Sequence, residues 1–195
     1  MTSEKNLHRF DFQDEKVVFQ CSIFQVKEKI AHTKNKEHQL KVYTLNCSNW
    51  VNVVPVTSTG EIVLVEQHRF GSDSFILEVP GGAVHYQEKD ATLAGLRELE
   101  EETGLTSKRI LSLSSFYPNP AIQNNRVTNL LAFDVQPLIE KSNHFDPFEE
   151  IKIHLYPVKE VMQMVRSGQI SHALSALALL LAEPYLLNKF PDVSG

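Results

Sequence analysis

The sequence predicts an α/β fold, one mixed domain preceded by a small N-terminal β unit. Three observations carry this. Residues 17–79 run as β-branched and alternating segments, and from Asp90 the hydrophobic period changes to that of a helix before strands resume at Ile110. A third is the pair of helical stretches that closes the chain after the last strand. A chain of 195 residues suits one domain with an appended piece, and the boundary is placed to give 1–48 and 49–195.

The elements follow in order. The first dozen residues are polar. Val17 to Val26 is β-branched and aromatic and reads as strand; Lys34-Asn35-Lys36-Glu37 is a turn; Leu40 to Leu45 alternates as a half-buried strand does. Val51–Val56 and Ile62–Val65, joined by Thr57-Ser58-Thr59-Gly60-Glu61, carry a hairpin signal. Phe75–Val79 is a further strand, stopped by Pro80-Gly81-Gly82. Asp90 to Thr103 reads as a helix with Asp90 as N-cap, Gly104 past its end and a stripe of Thr92, Leu96, Leu99 and Thr103. Strands are expected at Ile110–Tyr117, Val127–Val135 and Ile151–Tyr156, with an acidic loop from Pro137 to Glu150. Val158–Ser167 and Ser171–Leu181 read as helices separated by Gly168.

Composition excludes several classes. Hydrophobic residues at 42% and charged residues at 22% are ordinary for a globular domain. A net charge of −5 argues against nonspecific attraction to nucleic acid or to an anionic membrane. Cys21 and Cys47 cannot build a disulfide framework and form no C-x-x-C pair. The N-terminal stretch has no apolar core of a secretory signal, and the longest apolar run, Ala173–Ala182, is broken by Ser175 and reaches about half a membrane span. A cytoplasmic protein with neither membrane nor stable nucleic-acid partner is the expectation. Asn46-Cys47-Ser48 fits a glycosylation acceptor, which has no meaning without secretion. There is no Walker A loop and no Gly-x-Ser-x-Gly elbow, so covalent catalysis is not suggested.

The richest chemistry lies in Arg97-Glu98-Leu99-Glu100-Glu101-Glu102-Thr103-Gly104-Leu105. On a helix Glu98, Glu101 and Glu102 share one face, being three and four residues apart. Such like charges repel by a few tenths of a kcal/mol per pair, and Arg97 can offset part of this through Glu101 at i,i+4. An acidic run is ordinarily a solvated face. Here it follows a strand ending in Pro80-Gly81-Gly82, where backbone can approach a ligand closely. Clustered carboxylates suit a hard divalent cation that also takes water and phosphate oxygens.

Gly82 to Leu105 resembles the signature of the Nudix hydrolases: Gly, five residues, Glu, seven residues, then Arg-Glu-apolar-x-Glu-Glu-x-Gly-apolar. The second half matches at every specified position. In the first half eight residues rather than seven separate Glu88 from Arg97; either the loop holds one inserted residue or Lys89 takes the Glu position, and the insertion reading is preferred. The resemblance implies a Nudix-like α/β/α sandwich and cleavage of a diphosphate linkage with Mg²⁺ or Mn²⁺. It implies Glu98 and Glu102 as metal ligands, Glu101 as a third ligand or a contact to metal-bound water, the Gly81 carbonyl as a backbone ligand, and Arg97 as the residue that orients the carboxylates.

Beyond the signature the chain is similar to the ADP-ribose pyrophosphatase and nucleoside-diphosphate-sugar branch. The features are the N-terminal β unit, Val65-Glu66-Gln67-His68-Arg69-Phe70 before Leu77-Glu78-Val79-Pro80-Gly81-Gly82, Pro120 sixteen residues after Gly104, and the ending Ser167-Gly168-Gln169-Ile170-Ser171-His172-Ala173. This implies Arg69, Glu78 and Pro120 at the substrate, a homodimer formed through the N-terminal unit, and a base on the loop before the last strand, Glu149 first and Glu150 second. Arg126 is a candidate phosphate clamp or a structural pairing. The usual Glu after the proline motif and the Asp-x-Lys of some nucleotide-sugar hydrolases are missing, His172 and Leu174 standing near the latter place. Hydrolysis of nucleoside triphosphates or RNA 5′ ends, and a non-catalytic nucleotide-sugar sensor, stay open as alternatives.

Overall fold

A computed structural model of the chain describes residues 9–88, 90–139 and 150–190. In chain order these hold β1 (Asp11–Gln20), β2 (Phe24–His32), β3 (Gln39–Cys47), β4 (Trp50–Val56), β5 (Glu61–Arg69), β6 (Ser74–Glu78), β7 (Gly81–Ala83), α1 (Ala91–Thr103), β8 (Leu105–Thr106), β9 (Arg109–Phe116), β10 (Val127–Phe133), β11 (Gln136–Pro137), β12 (Ile151–Pro157), α2 (Val158–Arg166) and α3 (Ala173–Lys189). They divide into two compact units.

The first unit comprises the described residues up to Ser48 together with Tyr117–Asn125. Its sheet is antiparallel in the order β1-β2-β3. The apolar run from Val17 to Val26 is not one strand. The chain reverses at Cys21–Phe24, where the Cys21 N–H donates to the Phe24 carbonyl at 3.0 Å. Charges stitch the sheet across strands: Lys27 and Lys29 close on Glu15 at 2.7 Å each, and Glu28 receives Lys16 at 3.1 Å and the Tyr43 hydroxyl at 2.9 Å. Phe12, Val17, Phe19, Leu40 and Tyr43 nevertheless stay exposed. Segment 117–125 joins β3 through the Leu45 N–H to the Ile122 carbonyl at 2.7 Å.

The second unit, Asn49–Phe116 with the described residues from Arg126 on, is a helix–sheet–helix sandwich. Its mixed sheet runs β12-β5-β4-β10-β9, with β6 on β5 and β7 on β4. The β4–β10 pair is parallel and the rest are antiparallel. The hairpin expected between Val51–Val56 and Ile62–Val65 forms at its turn, but β4 and β5 pair only at Val56–Ile62 before separating to β7 and β6. Strand β4 is buried on both faces, which is why it reads as an apolar run interrupted only by Asn52. Val51 and Val53 pack with Leu130, Ala94 and Leu99 beneath α1, while Val54, Val56, Ile62 and Leu64 pack with Val161, Ala178 and Leu179 of α2 and α3.

Helix α1 buries Ala94, Gly95 and Leu99, so the expected stripe holds at Leu99 and is displaced elsewhere by about one residue. Gly95 lets the helix approach the sheet: a Cβ there would lie 2.5 Å from Leu130 Cδ1 and 3.0 Å from Val53 Cγ2. Helix α3 runs to Lys189, past Pro184, rather than ending at Leu181. Pro184 sits on the exposed side, where water can satisfy the carbonyl it orphans, and Leu179, Ala182 and Leu186 continue the buried stripe. No helix among the described residues is long and apolar enough to cross a membrane.

Candidate active site

Helix α1 is fixed at both ends by local chemistry. The Asp90 carboxylate accepts the Thr92 N–H at 2.8 Å, and Gly104, at φ 67°, closes the C-terminus. Between these ends the helical period sets Glu98 and Glu102 one turn apart, above β7. Glu102 Oε2 accepts the Gly81 N–H at 3.0 Å. Gly82 has no side chain to obstruct Glu98: a Cβ on Gly82 would fall on the Glu98 carboxylate. The two carboxylates thus converge on the Gly81–Gly82 backbone, which β4 holds through the Asn52–Gly81 and Val51–Gly82 pairings.

Arg97 organises the remaining acids. Its Nε donates to Glu88 Oε1 at 2.9 Å and its Nη2 to the Ala83 carbonyl at 3.1 Å; its Nη1 meets Glu98 Oε1 and Glu101 Oε2, both at 2.9 Å. Glu88 also accepts the His85 N–H at 2.8 Å. Arg97 lowers the Glu88 carboxyl below the usual carboxylate range, and Glu88 in turn raises the guanidinium's affinity for its proton. Glu88 therefore meets Arg97 despite the longer spacing in sequence; Lys89 lies outside the described residues.

Three carboxylates around one guanidinium, with Glu102 one turn along from Glu98, make a strongly negative cluster. Among the described residues no three His, Cys, Asp or Glu side chains form a ready-made metal cage. Two carboxylate donors beside a glycine backbone still fit Mg²⁺, which is commonly held by one or two carboxylates with water and substrate phosphates completing its shell. Oxygen-only donors suit a hard cation and not a thiophilic one.

Beyond Pro80 lies a second polar group. Glu78, 2% exposed, takes a bidentate fork from Arg69, Nε to Oε1 at 2.8 Å and Nη2 to Oε2 at 2.7 Å. His172 Nδ1 stands 3.1 Å from the same Oε2. Burial pushes the Glu78 carboxyl up, but Arg69 and His172 outweigh it and bring it down to about 2. Asn52, 1% exposed, ties this region to α3 by donating to the Leu174 carbonyl at 3.3 Å, and accepts the Trp50 indole N–H at 3.0 Å.

The structure thus gathers Gly81, Arg97, Glu98, Glu101 and Glu102 into one cluster and Arg69 with Glu78 into another on the same β6–β7 chain segment. Arg126 is exposed and its guanidinium binds the Ser115 carbonyl at 2.6 Å and Ser115 Oγ at 3.0 Å. Pro120 belongs to the first unit, exposed in segment 117–125. Glu150 is exposed immediately before β12, and Glu149 lies outside the described residues. Sequence spacing did not point to His172, Ser175 or Asn52 as parts of these clusters. Asn52 carries a signal, being the one polar side chain within Val51–Val56.

Comparison with known proteins agrees with this fold. A model of the NUDIX domain family matches residues 49–174. The ADP-ribose pyrophosphatase of Bacillus subtilis (strain 168) is 33% identical over 129 residues, spanning 66% of this chain and 69% of its own. The methanol dehydrogenase activator of Bacillus methanolicus is 29% identical over 131 residues, again spanning 66% and 69%. A crystal structure of an ADP compounds hydrolase shares the fold, with a TM-score of 0.81 at 18% identity over 95% of this chain and 98% of that one. The chain belongs to the NUDIX family. It is a Nudix-type pyrophosphatase, a hydrolase of phosphoanhydride bonds, and such enzymes generally need a divalent metal.

Proposed function

We propose that this protein hydrolyses the diphosphate bond of ADP-ribose or a related nucleoside diphosphate sugar, releasing a nucleoside monophosphate and a sugar phosphate, with Mg²⁺ or Mn²⁺. The observation that carries the reading is the convergence of Glu98 and Glu102 on Gly81–Gly82. The ADP-ribose pyrophosphatase of B. subtilis among its relatives supports the substrate class.

In this reading Glu98, Glu102 and the Gly81 carbonyl hold the metal, and Glu101 serves as a further ligand or meets metal-bound water. When bound, the cation neutralises phosphate charge and lowers the pKa of water. The chain's own groups do the rest. Arg97 orients Glu98 and Glu101. Arg69, braced by Glu78, meets the anionic substrate, while Pro120 and Arg126 contribute to its binding. Glu149, or failing it Glu150, takes the proton of the attacking water from a loop.

The described residues up to Ser48 serve as a dimer-forming unit before a catalytic unit from Asn49. Support for a homodimer comes from the apolar side chains that the first sheet leaves exposed. The two free cysteines suit a reducing compartment such as the cytoplasm. The test is hydrolysis of ADP-ribose, GDP-mannose, UDP-glucose, NADH, diadenosine polyphosphates, dGTP and a triphosphate-ended RNA, each with and without Mg²⁺. AMP and ribose 5-phosphate formed only with metal is the expected result; cleavage of dGTP or RNA alone would refute the substrate class.

A further inference from the structure

The second polar cluster contains a residue to which the signature assigns nothing. His172 caps the start of α3, and its Nδ1 lies 3.1 Å from Glu78 Oε2 and 2.9 Å from Ser175 Oγ. Ser175 Oγ in turn accepts the Val79 N–H at 3.2 Å, in the chain that leads into Gly81. A lone pair on Nδ1 facing an ionised carboxylate would be repelled, so Nδ1 carries the proton and donates it.

The geometry explains why a third group is needed there. The Arg69 fork aligns the guanidinium with the plane of the Glu78 carboxylate, but the last torsion of a Glu side chain is broad and leaves that plane free to turn. His172 meets the carboxylate from a second direction, and α3 is anchored behind it by Ser175 to Val79 and by Asn52 to Leu174. The side chains of Arg69 and His172 are 35% and 29% exposed, while the carboxylate they share is 3% exposed. Both bases are thus partly open to solvent, while the acid between them is not.

We propose that His172 is a positioning residue for diphosphate cleavage: through the shared Glu78 carboxylate it fixes the plane in which Arg69 presents its guanidinium to the substrate. This rests on the reading of Arg69 as a substrate-cleft residue. The effect belongs to substrate capture, so it falls on KM and leaves kcat nearly unchanged.

Two amide replacements separate the ring nitrogens. Asn can place its NH₂ where Nδ1 stands, while Gln places it where Nε2 stands. H172A and H172Q are expected to raise KM for ADP-ribose about ten- to a hundredfold, in line with one lost hydrogen bond to a charged group, and H172N to recover most of the loss. A second readout needs no turnover: the ¹⁵N-edited Nε–H signal of Arg69, assigned by its absence in R69K. It should be sharp and protected from exchange in wild type and H172N, and broadened or lost in H172A and H172Q. An unchanged Arg69 signal in H172A overturns the proposal. So does an H172N enzyme as impaired as H172A, which would place the contact on Nε2, and so does the expected signal pattern with an unmoved KM. Failure of wild type to cleave any nucleotide in the panel would overturn the proposed function instead, and the Arg69 signal would still decide whether His172 holds it.

Discussion

Replacing Gly82 by Ala separates the site from the scaffold. Gly82 is not among the glycines with positive φ, so Ala suits its backbone, and its ladder pairing with Val51 is retained. The added methyl would fall on the Glu98 carboxylate, the mobile end of a long side chain that can rotate away. Restricting the unfolded chain stabilises by about 0.4–1 kcal/mol. Losing the 2.9 Å Arg97–Glu98 contact, whose side chains are 24% and 13% exposed, costs about 0.2–1 kcal/mol. The two nearly cancel, and Tm should move by no more than about 2 °C for a chain of this size. Displacing a ligand should weaken the metal dependence by at least the ~10–100-fold seen when groups supporting metal ligands are altered. The assay is hydrolysis titrated with Mg²⁺ beside a thermal melt. A G82A enzyme with wild-type Mg²⁺ dependence and turnover would refute the placement of Glu98 at the metal; a large fall in Tm would refute the claim that only a flexible carboxylate is displaced.

Three further outcomes are expected. Gly95→Ala gains about 1 kcal/mol of helix propensity but forces a methyl to 2.5 Å from Leu130 Cδ1, a crowding that costs about 1–3 kcal/mol, so urea unfolding should show net destabilisation, unlike G82A. Asp90→Ala removes the cap on Thr92 N–H and should lower stability by about 1 kcal/mol, read in the same urea titration. Because Glu78 is lowered from 4.5 to about 2 in the folded state, its contribution is complete above 4.5 and is lost as pH falls from 4.5 towards 2. With Arg69 partly exposed that contribution is about 2 kcal/mol, and E78Q should show a flatter loss of stability over this acid range in pH-dependent denaturation.

What the sequence revealed tracks how local the physics is. Asp90 and Gly104 could be read because a cap and a left-handed terminus are chemistry within a few residues, and the Glu98–Glu102 spacing because it is a property of one helix. The reversal at Cys21–Phe24 could not, since a lone Ser22, a weak turn former, with no Gly, Pro, Asn or Asp beside it, does not stand out inside an apolar run. Extension of α3 past Pro184 depended on which side of the helix met water, and only the packed fold decides that. The β4–β10 parallel pairing and the Glu78–His172 contact join residues far apart in the chain and leave no periodic trace.

Metal binding measured without turnover addresses the carboxylate cluster most directly. Mn²⁺ titrated into wild type, E98Q and E102Q, with free ion counted by electron paramagnetic resonance, reads affinity alone. Wild type should bind, and either variant should lose at least ~10-fold in affinity, because the neutral amide replaces a charged oxygen donor beside Gly81. Equal Mn²⁺ affinity in all three proteins would contradict the assignment of the α1 carboxylates as the metal site.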